Sequence, residues 1–228
     1  MTTLLGMFVK QPIPGTVKTR LAAGVGAETA AKIYSAFVDD LTTIHAETAD
    51  MRFLGFAPNT EPAAAWTAEV GGSAFGSWPQ PEGDLGQRMQ SFFEYAFAAG
   101  AERAILIGSD SPNLPPDYVE NAFGLLGEND VVIGPASDGG YYLIGQRQSA
   151  RDIFKDTDWS SPEVFEQTTA RVRQAGASLG LLPVWYDIDN VEDARMLWAH
   201  TAAAAYSGSG DCGLAKTQVL LEQLFASS

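Results

Sequence analysis

The chain of 228 residues is short of three things. It has one cysteine, Cys212, which leaves no disulfide framework and no cysteine-rich metal centre. That usage suits a reducing compartment, and a cytoplasmic location is expected. It has two histidines, His45 and His200, neither in a loop with the features of a site, so no histidine-based acid–base chemistry is expected. Positive charge is also scarce, with 14 Lys and Arg against 28 Asp and Glu and a net charge of −14. A nucleic-acid surface grips phosphates through a basic face, which this balance argues against. A small phosphorylated ligand stays compatible if the few cations gather at one place and a divalent metal supplies the rest of the charge. Simple solubility explains the acidity equally well. No eighteen apolar residues run together, and the start Met1-Thr2-Thr3-Leu4 lacks the basic region of a signal peptide, so neither a membrane span nor a leader is expected.

What is present fits one α/β domain, or a domain with a small appendage, long enough to bury roughly 70% of its unfolded surface. The apolar run Leu4–Val9 has the length of a buried strand. The prolines Pro12 and Pro14, with Gly15, then forbid a helix until about Lys18. Into this loop crowd Lys10, Lys18 and Arg20. A cationic loop after a first strand and before a helix is what α/β proteins use to hold phosphate, and a solvated basic turn would look the same.

Further along, apolar residues at Ile33, Phe37, Leu41 and Ile44 mark one face of a helix over Glu28–Thr48. Met51–Ala57 and Ala74–Trp78 read as strands around an Ala-rich segment. A second Pro/Gly loop, residues 79–89, opens a helix through Ala98 with Asp84 at the N-cap. The strand Ala104–Gly108 runs into Ser109-Asp110-Ser111-Pro112, and Asp110 fits either a turn cap or a ligand to a divalent metal. Its place past the carboxyl end of a central strand points to the metal. Asp117–Leu126 reads as a helix. Val131–Gly134 and Tyr141–Gly145 flank Asp138-Gly139-Gly140, a hairpin signal that also lets backbone approach a ligand. Asp138 and Tyr141 are candidates for an acceptor side. Ser161 as N-cap and Pro162 at the first position start a helix to about Gln174, and Trp159 reads as packing. After a last strand, Gly180–Trp185, the alternation in Asp187-Ile188-Asp189 puts both carboxylates on one side. A metal shared with Asp110, or helix capping by Asp189 or Asn190, would compensate them. A helix to about Ala205 follows. Tyr206–Gly213 reads as a linker, and Leu214–Phe225 as an amphipathic segment that docks on the body or on a partner, a homodimer included.

Together, five ordered stretches resemble the bacterial family of uncharacterised glycosyltransferase-A-like proteins known as DUF2064. They are residues 10–21, 83–89, 108–112, 134–145 and 187–193. More distantly the chain is similar to the phospholactate and molybdenum-cofactor guanylyltransferases. The resemblance covers Leu4 to about Ala205. It implies a single nucleotide-binding domain over residues 1–205, with residues 206–228 as linker and C-terminal segment. The implied fold is a three-layer α/β/α sandwich around a mostly parallel twisted sheet, Rossmann-like in the glycosyltransferase-A (nucleotide-diphospho-sugar transferase) manner. The prolines of the first loop replace the glycines of the better-known sugar nucleotidyltransferases.

On this footing Lys18 and Arg20 hold phosphates, with Lys10, Pro14, Gly15, Thr19, Asp84, Gln87, Arg88 and Ser109 around the nucleotide. Asp110, Asp189 and Asp187 hold Mg²⁺ or Mn²⁺, and Gly139, Gly140 and Tyr141 meet a small-molecule acceptor. Two reactions stay open. Nucleotidyl transfer to an acceptor phosphate requires no general base, because the acceptor is already an anion. Glycosyl transfer from a nucleotide-sugar requires one, and Asp138 is the candidate. A non-catalytic nucleotide-binding regulator is the alternative to both.

Overall fold

The computed structural model describes residues 1–207 and 213–226. Among these residues seven strands, β1 (Thr3–Lys10), β2 (Met51–Ala57), β3 (Gly76–Pro79), β4 (Arg103–Ile107), β5 (Val131–Pro135), β6 (Tyr141–Arg147) and β7 (Leu179–Leu181), form one sheet in the order β3-β2-β1-β4-β6-β5-β7. β1 pairs in parallel with β2 and β4, and β2 with β3, while β6 runs antiparallel to both β4 and β5. The reversal follows from the tight turn at Asp138-Gly139-Gly140. A short hairpin can only join antiparallel neighbours, whereas the other strands are linked by helical crossovers.

Among the described residues the eight helices are α1 (Thr19–Val25), α2 (Ala27–Ile44), α3 (Glu61–Gly71), α4 (Leu85–Ala98), α5 (Pro116–Leu125), α6 (Val164–Gln174), α7 (Val191–Ser207) and α8 (Ala215–Phe225). They cover both faces of the sheet. Leu5, Met7 and Val9 of β1 join an apolar cluster with α2, α3, α5, α7 and α8. Leu4 joins a second cluster with Phe92 and Phe93 of α4 and Val172 of α6. Alternate residues of a strand point to opposite faces, so a fully buried central strand reads as one continuous apolar run. Close approach on the α4 side depends on Gly6, where an added Cβ would lie 2.1 Å from the ring of Phe92. The expected three-layer α/β class is what the chain adopts.

Several boundaries differ from the sequence reading. The helix expected over Glu28–Thr48 is α2, and a further short helix, α1, precedes it, the two meeting at Gly26 with φ of 85°. α2 stops at Ile44, before Thr48. α6 begins at Val164, and Ser161 does not cap it; its hydroxyl donates to the Asp158 carbonyl and accepts from the Glu163 N–H, closing a turn. The last strand covers only Leu179–Leu181, with Trp185 reaching the sheet through a single bridge to Ala136.

The C-terminal segment packs on α2 and α7, and Leu221 and Phe225 are part of the larger core. α7 extends to Ser207, so the start of the stretch read as a linker is helical, and residues 208–212 of it lie outside the described residues. Asp40 of α2, 3% exposed, accepts the backbone N–H groups of Lys216 and Thr217 at 3.1 and 2.8 Å and so caps α8 from a neighbouring helix. Asp40→Ala is expected to lower unfolding free energy by about 1–2 kcal/mol, the usual loss when a helix cap is removed, as measured by urea denaturation. Among the described residues no helix is long and apolar enough to cross a membrane.

Candidate functional site

The carboxyl ends of β1 and β4 open into a cavity of about 630 Å³. In open α/β sheets this is where ligands bind, because the loops that leave the strands there diverge over the sheet edge. One wall is the first loop, from Thr16 to Arg20. Facing it are Gln80, Gly83, Leu85, Arg88 and Met89, from the second loop and the start of α4. The floor is Phe8, Lys10, Ser109, Asp110 and the strand residues Tyr141–Ile144, and Asp189 stands at the rim.

The first loop is shaped locally. Gly15 has φ of 82°, the Thr16 N–H donates to the Ile13 carbonyl at 3.0 Å, and Val17 is buried. Lys18 follows in the left-handed region, φ 46° and ψ 48°, at the N-cap of α1. That turn drives its side chain inward, where it is 4% exposed. Its Nζ lies 2.5 Å from Asp110 Oδ1 and 3.0 Å from Asp189 Oδ1, and 5.9 Å from the ring centre of Phe37. Burial alone would pull the Lys18 pKa down. The attraction of Asp110 and Asp189 outweighs it, so the ammonium is held above its ordinary value. Arg20 is exposed and approaches Asp189 Oδ2 at 3.6 Å.

Asp110 and Asp189 are 79 positions apart, and backbone bonding brings them together. The Ile188 N–H donates to the Asp110 carbonyl at 2.8 Å, which lays residues 187–189 alongside the end of β4. Ile188 is buried, and of its two acidic neighbours Asp189 lines the cavity whereas Asp187 does not. Capping of α7 falls to Asn190 and Asp193, which bond reciprocally through Asp193 N to Asn190 Oδ1 and Asn190 N to Asp193 Oδ2, leaving the Asp189 carboxylate to Lys18. α7 also leans closely on α1. A Cβ added at Gly24 would lie 2.3 Å from Val191 Cγ2. Gly24→Ala is therefore expected to push the start of α7 away from Lys18 and to destabilise the fold by about 1–3 kcal/mol through overpacking, measured by thermal unfolding.

Asp187 is set behind the pair. It accepts a 2.5 Å hydrogen bond from Ser111 Oγ. Burial, against the effect of that bond, and the nearby carboxylates of Asp110 and Asp138 raise its pKa to about 6. It does not line the cavity.

The remaining predicted residues divide. Lys10, Thr19, Arg88, Ser109 and Tyr141 line the cavity with Lys18, Arg20, Asp110 and Asp189, whereas Pro14 and Gly15 shape the loop outside it. Asp84 and Gln87 are engaged in a capping box at the start of α4, Asp84 Oδ1 accepting from Gln87 N at 2.8 Å and Gln87 Oε1 from Asp84 N at 2.9 Å. Both stay off the cavity wall. Asp138 accepts from the Gly140 N–H at 2.9 Å within its own turn. Gly139, with φ of 96°, is pressed on Pro162, whose carbonyl oxygen would lie 1.9 Å from an added Cβ. Asp138, Gly139 and Gly140 thus build the hairpin and its contact with the start of α6, outside the cavity lining. His45 is fully buried, with its pKa pushed down to about 4 by burial, and His200 hydrogen-bonds Tyr186; neither lines the cavity.

Sequence reasoning missed Tyr34 and Gln80. The Tyr34 hydroxyl receives the Lys10 N–H at 2.9 Å and pairs with Ser109 Oγ at 2.8 Å, tying the two loops together beneath the cavity. Its signal in the sequence is a hydroxyl beside Ile33, on a helix face otherwise apolar. Gln80, 7% exposed, donates from Nε2 to the Gly55 carbonyl at 2.7 Å.

Among the described residues four cations, Lys10, Lys18, Arg20 and Arg88, line this cavity against two carboxylates, Asp110 and Asp189. In a chain of net charge −14 that local surplus marks a place for an anion. Lys18 and Arg20 are matched by the carboxylates, while among the described residues no ion pair engages Lys10 or Arg88. For a metal, no three acidic, His or Cys side chains converge among the described residues. Asp110 and Asp189 nevertheless share one cation, the Lys18 ammonium, and are hard oxygen donors of the kind Mg²⁺ takes when phosphate and water complete its shell. The pair fits such an ion.

A crystal structure from Desulfovibrio desulfuricans G20, described as a "putative nucleotide-diphospho-sugar transferase", is 32% identical over 98% of each chain, with a TM-score of 0.87. A nucleotidyl transferase from Methanothermobacter superposes with a TM-score of 0.60 at 14% identity, over 87% of this chain and 97% of that one. The 4-diphosphocytidyl-2C-methyl-D-erythritol synthase of Anaerococcus prevotii does so with 0.57 at 10% identity, over 87% and 98%. Those two likenesses concern the fold alone. No curated protein matches the chain in sequence. Residues 41–161 match the family model described as uncharacterized protein conserved in bacteria (DUF2064). With that match over half its length, and a structural relative sharing a third of its residues from end to end, the chain belongs to the DUF2064 family.

Proposed function

We propose that this protein is a nucleotide-dependent transferase, and specifically that it transfers a nucleotidyl group from a nucleoside triphosphate to an anionic acceptor. The observation that carries the reading is the surplus of cations around one cavity, with Lys18, Asp110 and Asp189 joined in its wall. The fold it shares with a nucleotidyl transferase supports it.

In such a reaction an acceptor phosphate oxygen bonds to the α-phosphorus, the bond from that phosphorus to the bridging oxygen breaks, and pyrophosphate leaves with the electron pair. No proton needs to move, since the acceptor is already ionised. What the protein supplies is alignment and positive charge. Lys10 and Arg88, which lack acidic partners among the described residues, are suited to the outer phosphates or the acceptor anion. Asp110 and Asp189 would hold Mg²⁺ or Mn²⁺, which when bound adds charge neutralisation on the phosphates. Glycosyl transfer is the weaker fit, because the candidate base Asp138 is engaged in its own turn and does not line the cavity.

Thermal unfolding with CTP, GTP, ATP, UTP and with UDP- and GDP-sugars, each with and without Mg²⁺, tests the reading. A ligand held at a hundred times its Kd stabilises the folded state by about 2.7 kcal/mol, a shift of several degrees. One triphosphate is expected to give it in the presence of Mg²⁺ and then to release pyrophosphate when a phosphorylated acceptor is added. Stabilisation by no nucleotide overturns the proposal. Release of a nucleoside diphosphate from a sugar donor replaces nucleotidyl with glycosyl transfer.

A further inference from the structure

Lys18 occupies the position that a shared metal ion would need. Its ammonium lies between Asp110 Oδ1 and Asp189 Oδ1, at 2.5 and 3.0 Å, and these are the two carboxylates that line the cavity among the described residues. A divalent ion bound by both would have to come close to the ammonium, and like charges that close repel strongly in a partly buried site. The same side chain lines the cavity, on a four-carbon stem that rotates about each of its bonds. We propose that Lys18 is an internal counter-ion that keeps a divalent metal off Asp110 and Asp189 until a phosphate-bearing ligand draws the ammonium into the cavity. Metal and ligand then enter together, and one lysine serves two partners in turn: carboxylates in the free protein, phosphate in the complex. This order of entry rests on the transferase reading, but the site it describes can be probed without any nucleotide.

The experiment is a Mn²⁺ titration of the full chain, followed by the electron paramagnetic resonance signal of the free ion, with no nucleotide present. Lys18→Met keeps the length and apolar stem and removes the charge. It is expected to bind Mn²⁺ about ten-fold more tightly than the wild type, or better, and the added change Asp189→Asn is expected to abolish the gain. Should Lys18→Met fail to fold, the wild type carries the test: Mn²⁺ at saturation is expected to speed acylation of the Lys18 amine, read by peptide mass spectrometry, because the ion displaces it. Mn²⁺ binding no tighter in Lys18→Met, or acylation unchanged by Mn²⁺ in the wild type, overturns the proposal. Either result beside nucleotide stabilisation of the wild type removes only the counter-ion. Tighter Mn²⁺ binding without any nucleotide stabilisation keeps the counter-ion at the metal position and removes the transferase reading.

Discussion

Asp110→Asn is expected to reduce the rate of nucleotide-dependent transfer about 10²–10³-fold while leaving the protein folded. Removing one preorganised electrostatic partner from a reacting centre commonly costs that much. Asparagine keeps the size of the side chain and its carbonyl oxygen, and loses the charge that faces Lys18. Stability should change little. Asp110 is half exposed, so solvent screens the charge that is lost, although its partner Lys18 is 4% exposed and the pair is not a surface one. Lys18 also retains its second partner, Asp189. The measurement is initial-rate pyrophosphate release, with thermal unfolding beside it to separate chemistry from folding. Asp138→Asn serves as the counterpart, with an expected change within a few-fold because that side chain is committed to its own turn. Equal losses in the two variants would move the reacting centre toward the hairpin and restore Asp138 as a base. Undiminished transfer in Asp110→Asn would remove it from the site altogether.

Asp187→Asn is expected to act in the opposite sense on stability. Burial, together with the carboxylates of Asp110 and Asp138, raises the Asp187 pKa from 3.8 to about 6 in the folded chain. The sign follows from proton counting. Below pH 3.8 both folded and unfolded chains hold the proton, and the residue has no effect on stability. Between 3.8 and about 6 the unfolded chain ionises first, so stability falls as pH rises, and above 6 the full cost is present. Roughly two units at 1.36 kcal/mol each put that cost at up to about 3 kcal/mol. Asparagine carries no charge and its side-chain oxygen can still accept from Ser111. Urea denaturation at pH 7.5 should therefore show the variant more stable than the wild type by up to that amount, and the gain should vanish near pH 3.5. A variant no more stable at pH 7.5 would show that the wild-type carboxylate is already compensated there. A buried acid retained at such a cost is the usual mark of a site that meets a cation or a ligand in use.

Much of this architecture was legible from residue order. The run Leu4–Val9 reads as a central strand because a parallel sheet covered on both faces admits no polar alternation. Asp84 reads as a cap because an aspartate stands where the Pro/Gly loop opens a helix, and the structure adds a capping box with Gln87. Yet the same residues show where local reading stops. Asp84 and Gln87 look like ligand contacts when taken as a motif, and their polar atoms turn out to bond one another. Gly139 looks like a place for backbone to meet a ligand, and what it meets is the Pro162 carbonyl. Ser161-Pro162 has the composition of a helix start, but that turn is pinned to Gly139 and to the Asp158 carbonyl, and the helix waits until Val164.

By itself the sequence determined the α/β class, the order of strands and crossover helices along the chain, the hairpin that reverses β6, the cationic loop that opens after β1 and the Pro/Gly loop that opens after β3. All of these depend on periodicity, on proline and glycine, and on neighbours a few positions apart. Only the tertiary structure decided which charges face one another. Lys18 is 92 positions from Asp110 and 171 from Asp189, and its buried ammonium between them depends on a left-handed turn at the start of α1, on the Ile188 bond to the end of β4, and on the close approach of Gly24 to Val191. The tertiary structure likewise left Lys10 and Arg88 lining the cavity with no ion pair to an acid among the described residues. Charge scarcity is visible in composition, but the direction in which each charge points is set by packing between elements that the chain brings together only when folded.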